Sequence, residues 1–300
     1  MNVRATLKAC LEAGLVRSGV PALHRAARPG RALVLAYHNV VPDSCPPVGD
    51  RSLHLPHRLF VRQLESLLVT HTVVPLEELL GPSRPGRRPR AAITFDDGYR
   101  GAVRIAVEEL ATRGLPATLF VVPAFVGKGP FWWDALASDG GLDQLVRRRA
   151  VDDLRGRDAE VRDWAATHGV AVRAVPDWAF PASEAELQDA TRHAGITLGS
   201  HTWTHPNLAR LTGAGLRDEL SRPLVWLGER FESVVAWLSY PYGLVTPAVE
   251  AAAREAGYTA ALTLGGGPFP PARVNRWAVP RENIPSGLSE NGFVIRSSGL

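Results

Sequence analysis

The 300-residue sequence has little cysteine, almost no lysine and no long apolar run, and each shortage narrows what the protein can be. Its two cysteines, Cys10 and Cys45, are too few for a disulfide framework or a thiolate zinc site. No stretch approaches the roughly 18 apolar residues that span a bilayer. Charged residues (Arg4, Lys8 and Glu12) interrupt the apolar run that a secretory signal peptide needs, so we predict a protein that is cytoplasmic or peripheral to the membrane.

The charge of the chain comes almost entirely from arginine, with a formal net charge of +4 and a pI near 9.4. These arginines are scattered rather than gathered into one basic stripe, so we predict no nucleic-acid partner. Near the N-terminus, Leu7, Leu11 and Leu15 recur at helical spacing beside basic residues. This pattern suits either a helix that binds a membrane surface or one that packs on its own domain.

Short apolar runs typical of strands alternate with helical segments, which predicts an α/β fold with a mainly parallel sheet. About seven such units favour a distorted (β/α) barrel, whose chemistry takes place at the carboxyl ends of the strands. We predict an N-terminal helical segment over residues 1–30, a single barrel over 31–300, and a helical insertion at about 127–182. The predicted strands are residues 32–40, 72–76, 91–95, 117–126, 196–200, 234–239, 259–263 and 276–280, and the predicted helices are 56–69, 101–113, 184–193, 213–231 and 247–256.

Two adjacent carboxylates, Asp96 and Asp97, follow the apolar strand at residues 91–95, within the motif TFDDGY. Burial and mutual repulsion would raise their pKa values, and a neighbouring cation would relieve the repulsion. Gly98 allows a sharp turn, so that both carboxylates can face one pocket. The same segment also suits a simple turn in which an aspartate caps the following helix.

Two histidines, His201 and His205, lie four residues apart in the motif SHTWTHPNL, after another predicted strand. On a helical backbone this spacing places both imidazoles on one face, and neutral imidazole is the commonest metal ligand. No glutamate follows His201, so the HExxH signature of zinc proteases is absent. One aspartate and two imidazoles form a ligand set that leaves positions open for water and substrate. The second aspartate is then free to act as a base in amide hydrolysis.

The motifs TFDDGY, SHTWTHPNL and LSYPYG, in this order, resemble those of the polysaccharide deacetylases with the NodB homology domain, carbohydrate esterase family 4. The resemblance covers most of the chain and implies a distorted barrel with one divalent metal ion, usually zinc, although cobalt, nickel or manganese also fit. It implies that Asp97, His201 and His205 are the metal ligands and that Asp96 is the general base. It also implies that the backbone N–H of Tyr242 helps to form an oxyanion hole.

The third motif departs from the family pattern. Many members carry an arginine two residues before its proline, where the arginine orients the base, whereas this chain has Ser239 and Tyr240 in that region. Arg281, in the segment WAVPREN, resembles an arginine that other members place at the end of a late strand. Arg281 is therefore predicted to supply the missing charge to Asp96.

The general acid is the second departure. Many members use a histidine in a late Leu-x-x-His-Asp motif, but no histidine follows His205 in this chain. The early segment AYHNV resembles the YH motif of exopolysaccharide deacetylases, which implies that His38 takes the acid role. Without that resemblance, His38 is interpreted as a core histidine bonded to the backbone.

These residues together predict hydrolysis of an N-acetyl group on a sugar or polysaccharide. The alternatives are a hydrolase of small non-sugar amides on the same fold, an inactive carbohydrate-binding relative, and a non-haem iron oxygenase, whose histidines are normally spaced differently. Aromatic residues near the strand ends suit either stacking on sugar rings or core packing, and the aromatic run of the insertion suits either a substrate-facing wall or a buried anchor. The predicted substrate contacts are Tyr99, Trp203, Tyr240 and Trp277, and the aromatic run is Phe131, Trp132 and Trp133.

Overall fold

The computed structural model describes residues 3–45, 48–81 and 88–300, and its centre is a curled sheet of parallel strands. Seven strands follow one another across this sheet, an eighth short strand joins it at one side, and two further short strands form a separate pair. In chain order the strands are β1 (Ala32–Tyr37), β2 (Asn39–Val41), β3 (His54–Pro56), β4 (Thr72–Val73), β5 (Arg90–Phe95), β6 (Ala117–Val121), β7 (Ile196–Ser200), β8 (Val234–Ser239), β9 (Ala260–Leu262) and β10 (Glu282–Asn283).

The strand order across the sheet is β10-β1-β5-β6-β7-β8-β9, and β4 pairs with the first residues of β5. Every one of these pairings is parallel. Val279, in the segment after β9, forms a single bridge with Leu262 of β9, and β10 a few residues later pairs with β1. This segment therefore contacts strands near both ends of the sheet. Helices surround the sheet, and the predicted distorted (β/α) barrel is confirmed.

The surrounding helices follow the strands along the chain, as the alternating sequence pattern predicts. They are α1 (Val3–Arg17), α2 (Val20–Ala26), α3 (His57–Thr70), α4 (Val107–Thr112), α5 (Trp132–Ala135), α6 (Gln144–Arg148), α7 (Asp158–Thr167), α8 (Glu184–Thr191), α9 (Gly213–Arg230), α10 (Pro247–Glu255) and α11 (Glu290–Ser298). None of the helices in the described part of the chain is long and apolar enough to cross a membrane.

The strands are buried on both faces, which explains their continuous apolar runs. Along β1, for example, Leu33, Leu35 and Tyr37 belong to the cluster that includes side chains of α3. The alternate residues Ala32 and Val34 belong to a second cluster, made mainly by side chains of other strands. The period-two alternation of strand side chains therefore separates a barrel interior from a layer beneath the helices.

Several predicted elements have different bounds in the structure. The first predicted strand is interrupted at His38, and the predicted helix at 101–113 begins as a π-helix, Ala102–Ala106. The predicted strand at 72–76 contains only β4, because a short 3₁₀ helix begins immediately after Pro75. The predicted strand at 276–280 is wrong, since only Val279 bridges β9 there and the sheet strand is β10.

The insertion at 127–182 and the N-terminal helices pack differently on the barrel. Phe131 and Trp132 of the insertion are fully buried in the cluster beneath the helices. The second half of α1 packs on α11, whereas residues 5–11 of α1 are all exposed, including Leu7 (60%) and Leu11 (65%). The first half of α1 therefore projects from the protein.

Candidate metal and catalytic site

Three polar side chains meet at the carboxyl ends of strands β5 and β7. Asp97 lies two residues beyond β5, His201 directly follows β7, and His205 lies four residues further along. Asp97 Oδ1 is 3.4 Å from Nε2 of each histidine, and the two Nε2 atoms are 3.2 Å apart. All three side chains are buried. The structure thus brings the three predicted metal ligands together.

The spacing of this triangle suits a divalent metal ion, for which zinc serves as the reference. Four ligands in tetrahedral positions at zinc distances of about 2.0–2.1 Å lie roughly 3.3–3.4 Å from one another. His201 Nδ1–H donates to the carbonyl of Ser239 at 2.7 Å, which leaves the lone pair of Nε2 facing the cluster. Asp97 Oδ1 is buried and has no hydrogen-bond partner among the described residues. The donors present therefore fit a divalent cation.

The backbone at the site adopts conformations that side chains other than glycine rarely accept. Five non-glycine residues of the described chain have positive φ angles, and four of them are Asp97 (69°), Thr202 (65°), His205 (61°) and Tyr242 (60°). Each such residue costs on the order of 1–3 kcal/mol. Strain concentrated around one cluster is typical of a functional site.

A partly buried carboxylate on α9 holds the loop that carries the histidines. Glu219 accepts hydrogen bonds from the backbone N–H groups of Trp203 and Thr204, at 3.0 and 2.8 Å, and from the Thr204 hydroxyl. The Trp203 ring lies 4.0 Å from the guanidinium of Arg222. Trp203 does not line the pocket beside the cluster, and its role as a substrate contact stays a prediction.

Burial and neighbouring charges set the protonation of the cluster. Burial would raise the pKa of Asp97, but the nearby imidazoles of His201, His205 and His38 lower that pKa overall. Burial lowers the pKa of His205 to about 3, and the charge of His201 adds to this effect. At His201 burial is outweighed by Asp96 and Asp97, which raise its pKa. An ionised carboxylate and a neutral imidazole are the forms that bind a metal.

Asp96 is held by a fully buried arginine. Arg281 donates to both carboxylate oxygens of Asp96, at 2.8 and 2.7 Å, and Ser239 Oγ donates to one of them at 3.1 Å. The guanidinium also donates to Thr94 Oγ1, to Ser239 Oγ and to the carbonyl of Thr263. Burial would raise the pKa of Asp96, but the charge of Arg281 outweighs it and holds that pKa well below the usual range.

His38 and Tyr242 line the pocket beside the cluster. His38 directly follows β1, and burial lowers its pKa while the charges of Asp97 and Asp96 oppose this effect. The Tyr242 ring centroid lies 4.8 Å from that of His205, and its hydroxyl donates to the carbonyl of His205 at 3.4 Å. The catalytic roles of His38 and of the Tyr242 N–H stay predictions.

Of the other three aromatic residues predicted to contact the substrate, only Tyr240 lines the pocket. Tyr99 is fully buried, where its hydroxyl donates to Asp134 and accepts from Trp133 Nε1, both at 2.6 Å. Tyr99 therefore lies behind the pocket wall, which corrects its prediction as a sugar-stacking residue. Tyr240 lines the pocket and donates its hydroxyl to the carbonyl of Trp277 at 3.0 Å. Trp277 itself is not among the lining residues.

Part of the pocket comes from residues that the sequence analysis did not identify as site residues. The insertion contributes Arg147, Trp132 and Trp133, and the loop between β2 and β3 contributes Asp50 and Leu53. The aromatic run of the insertion was the only sequence signal for this wall. Its residues come to the pocket through long-range packing, which local motifs do not reveal.

Comparisons with known proteins agree with this fold. The model of the family described as polysaccharide deacetylase matches residues 83–261, more than half of the chain. No curated protein matches the chain in sequence. Among solved structures, IcaB from Ammonifex degensii is 19% identical with a TM-score of 0.63, covering 90% of this chain and 98% of that one.

Two further solved structures share the fold. A Streptococcus pyogenes deacetylase, PplD, in complex with acetate, is 16% identical with a TM-score of 0.62 and covers 90% of this chain and 99% of its own. BC0361, a polysaccharide deacetylase from Bacillus cereus, is 17% identical with a TM-score of 0.61 and covers 90% of this chain and 69% of its own. At these identities the likeness supports the architecture alone.

Proposed function

Because the chain belongs to the polysaccharide deacetylase family, we propose that it is a metal-dependent hydrolase that removes N-acetyl groups from an N-acetylated saccharide. One observation carries this proposal: the metal-binding triangle of Asp97, His201 and His205 has a second, ionised carboxylate, Asp96, beside it. The spacing of the ligand atoms and the imidazole donors suit a transition-metal ion, and zinc is the ion that we propose. A bound divalent ion supplies Lewis acidity and makes water easier to deprotonate.

Asp96 is the proposed general base. Its bidentate contact with Arg281 keeps the carboxylate ionised and fixes its orientation, because all of the hydrogen-bond donors around it are themselves anchored. The same contact lowers its basicity, so Asp96 would act where a divalent ion held by Asp97, His201 and His205 made water easier to deprotonate. Asp96 accepts a proton from a water molecule, which attacks the carbonyl carbon of the acetamide.

His38 and Tyr242 are the proposed acid and oxyanion donor. The backbone N–H of Tyr242 donates to the negative oxygen that develops when water adds to the carbonyl, an interaction typically worth a few kcal/mol. His38, protonated in the substrate complex, then donates its proton to the departing amine. The products are acetate and a free amino group on the sugar.

A deacetylation assay tests the proposal. Zinc-loaded protein is incubated with a panel of N-acetylated sugars and with small non-sugar amides, and acetate and amine are quantified. We expect acetate from at least one sugar. The variant Asp96→Asn should retain zinc but release acetate at least 100-fold more slowly, since general acid–base catalysis typically contributes about 10²–10⁴-fold. The matched control Asp189→Asn, at an exposed carboxylate on α8, should behave like the wild type.

The same assay separates the alternatives. Turnover of the small amides without turnover of any sugar would identify the protein as a hydrolase of non-sugar amides. Sugar binding without acetate release would support an inactive binding relative, and oxygen consumption with iron would support an oxygenase. A wild-type rate for Asp96→Asn would overturn the assignment of the base.

A further inference from the structure

The pocket wall contributed by the insertion and the β2–β3 loop is organised around one buried carboxylate. We propose that Asp134 is a positioning residue, which sets the substrate-binding wall by fixing Trp133 and Arg147 at the same time. This inference rests on the proposed function, because it concerns how the saccharide is held for deacetylation. Asp134 does not line the pocket and acts only through the residues that do.

Asp134 has no exposed surface and accepts three hydrogen bonds. Its Oδ1 accepts from the backbone N–H of Asp50 and from His54 Nε2, both at 2.9 Å, and its Oδ2 accepts from the Tyr99 hydroxyl at 2.6 Å. A buried carboxylate whose oxygens are all engaged has little freedom to move. The three donors come from two different segments of the barrel, so Asp134 fixes these segments relative to the insertion.

One branch of the network leads to Trp133. The Tyr99 hydroxyl that donates to Asp134 also accepts the hydrogen bond of Trp133 Nε1 at 2.6 Å. The Trp133 ring stacks on Phe131 with centroids 4.5 Å apart, and it also contacts Trp132 at 5.4 Å and His205 at 4.8 Å. The indole orientation is thus fixed by its nitrogen and by neighbouring rings. The part of the ring left free lines the pocket beside His205, where a sugar next to the metal ligands would contact it.

The other branch leads to Arg147. Gly49 has a φ of 62°, and a Cβ on it would lie 2.2 Å from Asp134 Oδ1, so the loop approaches the carboxylate as closely as the backbone allows. The Asp50 N–H is bonded there, and the Asp50 carboxylate accepts hydrogen bonds from Arg147 and from Ser52. The Arg147 side chain is 41% exposed and lines the pocket, where its remaining N–H groups can donate to sugar oxygens.

The two branches of the network hold the Trp133 ring and the Arg147 guanidinium in fixed positions relative to each other in the pocket wall. A sugar carrying an acetamide presents a ring face and several hydroxyl acceptors, and productive attack requires the acetamide to be placed accurately. We therefore expect Asp134 to govern substrate affinity more than the chemical step. Among the described residues, Asp134 makes no hydrogen bond to the proposed metal ligands or the base, and His205 meets the network only at the Trp133 ring. We therefore expect the metal site to be retained when Asp134 is changed.

The first test compares Asp134→Asn with Asp139→Asn, which alters an exposed carboxylate of the same insertion. Tetra-N-acetylchitotetraose serves as the probe, and KM, kcat, zinc content and melting temperature are measured. Asp134→Asn should raise KM about 10- to 100-fold, with a smaller change in kcat and unchanged zinc content. Asp139→Asn should match the wild type. A lower melting temperature with a wild-type KM would overturn the proposal.

A second pair of variants keeps the proposal testable if Asp134→Asn does not fold. Tyr99→Phe removes a single hydroxyl from the Trp133 branch, and Arg147→Met removes the donor at the end of the other branch. Each should raise KM, and Arg147→Met should have a smaller effect in an Asp134→Asn background than alone, because both act through one network. Wild-type KM values for both single variants would refute the positioning role.

Binding separates this inference from the proposed function. If the zinc-loaded wild type binds the tetramer without releasing acetate, the proposed function fails, and the dissociation constants of the same variants replace their KM values. Weaker binding by Asp134→Asn and Tyr99→Phe than by Asp139→Asn would then support the inference. Equal dissociation constants for all of the variants, or no binding by the wild type, would overturn it.

Discussion

Replacing Arg281 with methionine tests whether the charge of Arg281 keeps the Asp96 carboxylate ionised. The change keeps an unbranched apolar side chain but removes the only cation that contacts both oxygens of Asp96 in the described structure. Because Arg281 is fully buried, no water is available there to replace its charge. Removing one partner of a buried ion pair typically costs about 3–5 kcal/mol. At 1.36 kcal/mol per pKa unit, this corresponds to a rise of roughly 2–4 units in the pKa of Asp96.

The first assay is the pH dependence of kcat/KM for acetate release. In the wild type, Asp96 is ionised throughout the neutral range, because Arg281 holds its pKa well below the usual value. In Arg281→Met we expect the acid limb of the profile to move up toward neutrality. Arg281→Lys, which retains the charge, should show a smaller displacement. Zinc content measured at each pH excludes loss of the metal as the cause.

The second assay is stability as a function of pH. In the wild type the folded-state pKa of Asp96 lies below that of the unfolded chain, about 3.9, so the ion pair stabilises the fold above that pH and is lost as the pH falls further. In Arg281→Met the folded-state pKa is raised instead. The free energy of unfolding of the variant should therefore fall furthest below the wild type at neutral pH, and the gap should narrow on acidification. A gap that stays constant from pH 7 to pH 4, with an unchanged acid limb, would refute the reasoning.

Three further outcomes are expected. Chelation of the metal should abolish acetate release and lower the melting temperature, and added zinc should restore both. The melting temperature should fall because a ligand at 1,000 times its dissociation constant stabilises the folded protein by about 4.1 kcal/mol. An unchanged melting temperature would contradict the metal site. His38→Gln should lower kcat about 10²–10⁴-fold. It should also remove the alkaline limb of the pH profile of kcat, which we expect below the usual pKa of histidine because burial lowers the pKa of His38. A profile that keeps this limb would exclude His38 as the acid. The leucines and basic residues of α1 predict binding to an anionic membrane surface. If so, Leu7→Glu with Leu11→Glu should weaken sedimentation with anionic vesicles, whereas Leu23→Glu, at another exposed leucine, should not; equal sedimentation of both would contradict the prediction.

Local sequence pattern predicted the strands that position the site. The bounds of β7 and β8 agree with the prediction, because apolar runs there end at sharp changes in polarity. The error near Val279 has a physical cause, since that segment resembles a strand but pairs only briefly with β9 before it crosses to β1. Pairing between distant segments depends on the closure of the barrel, which no local pattern contains.

The cluster of Asp97, His201 and His205 was predictable because its members lie within five residues of the ends of β5 and β7, and the ends of parallel strands meet at one edge of a sheet. The wall around Asp134 was not predictable in this way. Asp134 lies within an irregular insertion, and its partners Tyr99 and Asp50 belong to segments far from it in sequence. Likewise, the prediction that Tyr99 contacts the substrate rests on its position just after a strand end, whereas its side chain is buried in the core.

The adjacent carboxylates show how one turn gives two like residues different chemistry. Asp96 turns to Arg281, whereas Asp97 turns to the histidines, and the positive φ of Asp97 redirects the chain between them. Gly98 also has a positive φ, and a Cβ there would lie 3.0 Å from a methyl carbon of Val121, so β6 leaves no room for a side chain. The cation at Asp96 and the imidazoles at Asp97 allow both carboxylates to remain ionised in a buried place. We therefore expect a pair of aspartates followed by glycine after a buried strand to serve as a base and a metal ligand only where a cation contacts one of them and imidazoles contact the other.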